Sequence, residues 1–213
     1  MMISPEAYYH DSIEGRSPEQ ILWQIHSLKR EIRHLIRVLE SDELNSELMI
    51  APHPRTQISL KREYLELAVK AYTDAGGKLE LNGIEQKEAA FNARLPGMRK
   101  LVLEMRGSER YTVTFPEKAL VQKEKLSPPE DWKREEYLLP QTFPEFTEAL
   151  EKMHMGEWKK TYSASGAEPR ETRWVLRIEY EEEAPYICSG RSAEPYNFNL
   201  LLDLLNGEMF WMG

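Results

Sequence analysis

The side chains able to do chemistry are five histidines, one cysteine and 36 carboxylates in a chain of 213 residues. None of His10, His26, His34, His53 and His154 sits in a metal-ligand spacing with a second His, Cys or carboxylate on a recognisable helix. The expectation is therefore no metal and no cofactor. Cys188 fails the phosphatase test, which needs an arginine six residues on so that a guanidinium and backbone amides hold the phosphate; position 194 is Glu194. A lone cysteine in a strand is ordinarily a small buried hydrophobe. Gly76-Gly77-Lys78 follows a helix instead of opening one, so its amides do not converge on a phosphate. No Gly-x-Ser-x-Gly elbow is present. No catalytic residue is assigned, and the chain reads as a non-enzymatic interaction protein. The alternatives are an enzyme whose site is assembled from distant residues and a nucleic-acid-binding accessory protein that uses a basic first helix.

Charge is the other resource. Residues 1–128 hold 19 basic and 19 acidic side chains, whereas 129–213 hold 9 and 17, so the entire excess of −8 falls in the last two-fifths. Such a region repels nucleic acid and attracts a basic protein groove. Its densest part is Glu179, Glu181, Glu182 and Glu183, with Glu168, Glu171 and Glu194 as candidate neighbours. These mark a partner-binding candidate. A second is the basic stripe Lys29, Arg30, Arg33 and Arg37, joined by His26 and His34, which would meet phosphates or a carboxylate-rich surface. The bland alternative for both is a solvated face.

The elements that must carry these residues are legible in part. Ser17, Pro18 and Gln20 announce a helix start by capping box and N-terminal proline, and the helix should run to about Glu40. Within it Ile21, Ile25, Leu28, Ile32, Leu35 and Leu39 recur in alternating steps of four and three, a heptad seam of coiled-coil type. The seam predicts a partner helix, from a second copy in a homodimer. The alternative is the chain's own second helix, favoured by Leu22 and Ile36, which broaden the stripe. Further helices are predicted over 61–75, 84–94, 144–153 and 196–205, and strands over 99–105, 110–115, 119–123, 157–163, 173–180 and 186–189. Residues 41–55 read as a connection, 126–131 as a linker-like break and 164–171 as a polar loop. Phe210 and Trp211 make the terminus apolar, fit to fold back or to dock.

The fold class is α+β: an N-terminal amphipathic helix and further helices on small antiparallel meanders. The expected organisation is a helical part plus meander over 1–125 and an acidic α-β-β-β-α part over 126–213. The two meanders are either separate domains or one sheet of about six strands. No apolar run reaches the roughly 20 residues of a membrane span. The first sixteen residues lack a secretory pattern, and the single cysteine suits a reducing compartment. The expectation is a cytoplasmic protein.

Two stretches read together carry a resemblance. One is Arg62-Glu-Tyr-Leu-Glu-Leu-Ala, continuing through Ala71-Tyr72 to Gly76-Gly77. The other is Gly156-Glu-Trp-Lys-Lys-Thr-Tyr162, Arg173-Trp-Val-Leu-Arg-Ile-Glu-Tyr180 and Pro195-Tyr-Asn-Phe-Asn-Leu-Leu201. Together they resemble a group of uncharacterised bacterial proteins often found on mobile elements, a setting that also holds anti-CRISPR inhibitors. The resemblance implies no catalytic residues. It adds the anti-CRISPR setting to what the missing catalytic constellation and the uneven charge suggest, an inhibitor that binds a nucleic-acid effector complex through its acidic half. The chain departs from the group's Gly-x-Asn-x-Tyr-Pro turn, having Gly190-Arg-Ser-Ala-Glu-Pro195 there.

Overall fold

A computed structural model describes residues 3–41, 52–115, 118–125, 133–164 and 173–208. The predicted break at 126–131, the loop over 165–171 with Glu168 and Glu171, most of the 41–55 connection, and Phe210 and Trp211 lie outside them. The described residues form six helices and one seven-stranded mixed sheet, an α+β protein. None of these helices is long and apolar enough to cross a membrane. The chain divides into two compact units, Met1–Glu80 and Leu81–Gly213.

The first unit is helical: α1 (Pro5–Ser12), α2 (Pro18–Leu39) and α3 (Pro54–Asp74). Helix α2 starts where the sequence announces it, with Ser17 Oγ accepting from the Gln20 amide and the Gln20 side chain accepting from the Ser17 amide. Helix α3 begins seven residues before the expected start. Pro54 sits in its first turn, where a proline sacrifices no hydrogen bond, and His53 Nδ1 caps the Arg55 amide. Its end is as expected: Gly76, at φ 82°, turns the chain out of the helix.

The heptad seam is closed from inside the chain. Ile21, Ile25 and Leu28 are buried with Ile13, Tyr64 and Ala68, Ile32 is buried as well, and Leu35 and Leu39 are half-buried. Within the chain the stripe packs against α3, the alternative that the sequence offered beside a second copy. The physical reason is the breadth of the stripe, since a wide apolar face suits a globular core better than a narrow two-stranded seam. Tyr8 stacks on Tyr64 at 4.1 Å, and the Tyr64 hydroxyl donates to the Ile3 carbonyl, which ties down α1.

Across the α2–α3 contact, Lys61 Nζ lies 2.5 Å from Glu31 Oε2. Burial pushes the Glu31 carboxyl up, but hydrogen bonds from Lys61 and Ser27 and the charges of Lys61 and Arg30 outweigh it, leaving the pKa below the usual value. A depressed carboxylate stabilises the fold above its unfolded pKa and loses that contribution as pH falls through its folded one. Acidification below the ordinary carboxylate range should therefore lower the urea midpoint, and less so in Lys61→Met. An equally steep acid dependence in both chains would remove the pair from the account.

The second unit opens with α4 (Gly83–Arg94), capped reciprocally by Asn82 and Glu85. Strands β1 (Met98–Met105), β2 (Glu109–Thr114), β3 (Lys118–Lys125) and β4 (Arg134–Thr142) follow as an antiparallel meander. Then come α5 (Phe143–Lys152), β5 (Thr161–Ser163), β6 (Arg173–Tyr180), β7 (Tyr186–Arg191) and α6 (Phe198–Leu205). The strand order is β4-β3-β2-β1-β6-β7-β5. Central β1 pairs β2 on one side and β6 on the other, and β5 runs parallel to β7.

One sheet runs across the expected division at 125/126, which is the one-sheet alternative of the sequence reading. Strands β3 and β4 flank that point and pair with each other, and β1 and β6 join the two expected halves into one sheet. A change of charge and two prolines do not interrupt backbone pairing. The expected single strand over 157–163 is also shorter, because a turn of 3-10 helix over Met155–Glu157 precedes β5.

Alternation sends Leu101, Leu103, Tyr111, Val113, Leu176 and Ile178 into one core with Phe91, Phe146, Leu150, Leu201 and Leu205 of the helices. The other sheet face carries Lys100, Val102, Glu104, Arg177 and the exposed Val175 and Ile187. Trp158, Tyr162, Trp174 and Phe198 form an aromatic cluster, with Trp174 and Phe198 centroids 4.8 Å apart. Trp174 Nε1 donates to the Ala193 carbonyl at 2.9 Å, and Trp158 Nε1 to Asn197 Oδ1 at 3.0 Å. Gly190 lies against the Trp174 indole so closely that any Cβ there would collide with the ring.

Candidate functional site

The basic stripe forms on α2 as expected. Arg30, Arg33 and Arg37 are exposed with His26 and His34, and Lys29 is half-buried. Arg33 Nε donates to the Lys29 carbonyl and Arg37 Nε to the Arg33 carbonyl, so two guanidinium groups lie back along their own helix. Trp23, 61% exposed, stands on the same helix.

The acidic run sits where β6 ends, and arginines meet it. Glu179 accepts from Arg177 Nε at 2.9 Å, Glu181 pairs with Arg99, and Glu183 lies 2.5 Å from Arg94 Nε. Arg94 also covers the Tyr180 ring at 4.1 Å, which fixes its position beside the run. Glu182 is exposed and has no ion pair among the described residues. The run is thus a row of ion pairs, one of them to the half-buried Arg94, around the exposed Glu182 carboxylate. The sequence shows the four acids but not the arginines, which approach from α4 and β1 as well as from β6 itself.

Cys188 is fully buried in β7, and its thiol donates to the Lys159 carbonyl at 2.8 Å. Lys87 reaches the same neighbourhood from α4, donating to the Trp158 carbonyl, and burial pushes its ammonium below the usual range.

Sequence reasoning missed one constellation in this unit. Helix α5 stops at Met153, and His154 follows in the left-handed conformation, φ 53° and ψ 40°. Glycine is the residue this position favours, although histidine tolerates it better than most. The 3-10 turn then brings Glu157 round. Gly156 presses against α4, where an added Cβ would meet the Glu88 Cα at 2.5 Å. As a result His154 Nδ1 lies 2.5 Å from Glu88 Oε1, and Glu88, His154 and Glu157 offer ligand atoms all within 4.8 Å of one another. All three are half-buried. His154 meets Glu88 in space, not through a ligand spacing along one helix. The local trace was His154-x-x-Glu157; the third member lies 66 positions away, beyond any motif.

In the helical unit, a groove of about 710 Å³ between α1 and α3 is lined by Tyr9, His10, Glu63, Glu66, Lys70 and Asp74 among others. Its charges are mixed. No family model matches this chain, and neither a curated protein nor a solved structure matches it.

Proposed function

We propose that the protein is a non-enzymatic interaction module, and most specifically an inhibitor of a nucleic-acid-handling complex. The observation that supports this is the charge distribution. The whole excess of −8 falls in residues 129–213, within the unit that holds the sheet. A basic groove built for phosphates attracts such a surface from a distance, and complementary fields chiefly raise the rate and selectivity of encounter. An exposed ion pair contributes little to folding, so Glu181 can exchange Arg99 for a partner's cations at small cost. Glu182 is already available for such contact. The resemblance to proteins of mobile elements, a setting shared with anti-CRISPR inhibitors, supports the inhibitor form of the reading.

A second reading rests on Arg30, Arg33 and Arg37, an exposed row that suits a phosphate backbone and would make the chain a nucleic-acid-binding accessory protein. Affinity purification from host lysate, with and without nuclease, separates the two. A protein complex recovered after nuclease supports inhibition. Recovery of nucleic acid, lost in Arg30→Ala/Arg33→Ala/Arg37→Ala, supports the accessory role.

For the recovered complex, the triple change Glu181→Gln/Glu182→Gln/Glu183→Gln should weaken binding at low salt and flatten its dependence on ionic strength. Binding isotherms at two salt concentrations read both effects. Unchanged affinity at low salt would take this segment off the binding face.

A further inference from the structure

We propose that Glu88, His154 and Glu157 bind one divalent first-row transition cation, of which Zn2+ is the type, through two carboxylate oxygens and one imidazole nitrogen. Water completes the coordination. The ligand set is of the right chemical class, since imidazole and carboxylate together suit such cations, and three protein ligands leave a position open.

The geometry is close to what a cation needs. Bonds of about 2.0–2.2 Å place neighbouring ligands roughly 3.0–3.5 Å apart. The trio lies within 4.8 Å, with His154 and Glu88 at 2.5 Å. Binding therefore opens the His154–Glu88 pair slightly and draws Glu157 in, movements that side-chain torsions supply.

The backbone around the trio is held on several sides. Lys87 donates to the Trp158 carbonyl, Tyr186 Oη to the Met155 carbonyl at 3.2 Å, and Asn197 Nδ2 to the Met153 carbonyl at 2.5 Å. Met155 and Trp158 are buried. The turn that carries two ligands is thus fixed against the helix that carries the third, as a preorganised site requires. Histidine at a backbone position that favours glycine fits a residue kept for its side chain. The pair alone would serve as a hydrogen bond closing α5, and the measurement must tell these apart.

The test is calorimetric titration of the full chain, stripped with EDTA, with Zn2+, repeated with Co2+ to read its visible absorption. One site of micromolar affinity or tighter is expected, with Co2+ bands typical of low coordination number. Losing a group behind a ligand costs about 10–100-fold in affinity, and losing a ligand should cost at least that. His154→Gly is the informative variant, because glycine suits the left-handed backbone and the fold should survive unharmed. Glu157→Gln, nearly isosteric, provides an independent variant. Both should lose the site and the Co2+ bands, whereas His10→Ala, which removes the exposed His10–Glu14 pair, should change nothing. Absence of binding, binding unchanged in His154→Gly and Glu157→Gln, or binding abolished by His10→Ala would each overturn the proposal.

Discussion

Replacing Trp174 by alanine is expected to remove about 3–5 kcal/mol of stability, the range for deleting a large buried aromatic. The indole is 2% exposed near the start of β6, with Phe198 at 4.8 Å, Tyr162 at 5.9 Å and Trp158 at 6.4 Å between centroids. Trp158 is tied to Asn197 and Tyr162 to the Lys159 amide, which limits their collapse into the space. The change also strands the Ala193 carbonyl, which accepts from the indole nitrogen. Denaturant titration reads the effect directly. A midpoint equal to that of the unmodified chain would mean that β6 does not face the core as described.

The second large effect is expected from Ile25→Asp. Ile25 is fully buried on α2 and belongs to the cluster that includes Tyr64 and Ala68 of α3. An unpaired carboxylate there costs about 3–5 kcal/mol through desolvation alone, beyond the lost apolar burial. Amides of α2 and α3 should lose protection from hydrogen exchange while those of β1 and β6 retain it, since the helices and the sheet belong to different compact units. The opposite outcome is equally readable. Conversion of a dimer into a folded monomer with protected helices would return the stripe to an interchain role.

The parts of this fold that announce themselves in the sequence do so through local chemistry. Strand β6 begins and ends where alternation from Arg173 to Tyr180 says it should, and Ser17, Pro18 and Gln20 fix the start of α2. Helix α1 escapes notice because it buries none of its own residues and so has no apolar period. Strand β4 escapes because Pro140 reads as a breaker, although an edge strand tolerates it. The pairing of β1 with β6 escapes for a different reason: a pattern of burial specifies which face turns inward but not which strand lies alongside. The same limit hides Glu88, His154 and Glu157, whose proximity depends on a turn packing against a distant helix. The acidic run was visible as charge, yet its arginine partners were not.

The two outer strands carry one further consequence. At one end of the sheet β4 presents Arg134, Glu135 and Glu136, and at Pro140 it has no backbone N–H to offer. At the other end β5 is three residues long. Charges, a missing donor and extreme shortness are the devices by which sheets resist joining end to end with others. Neither rim is a good template for an extended peptide adding itself as an eighth strand. Among the described residues, both rims thereby discourage copies of this chain from pairing edge to edge.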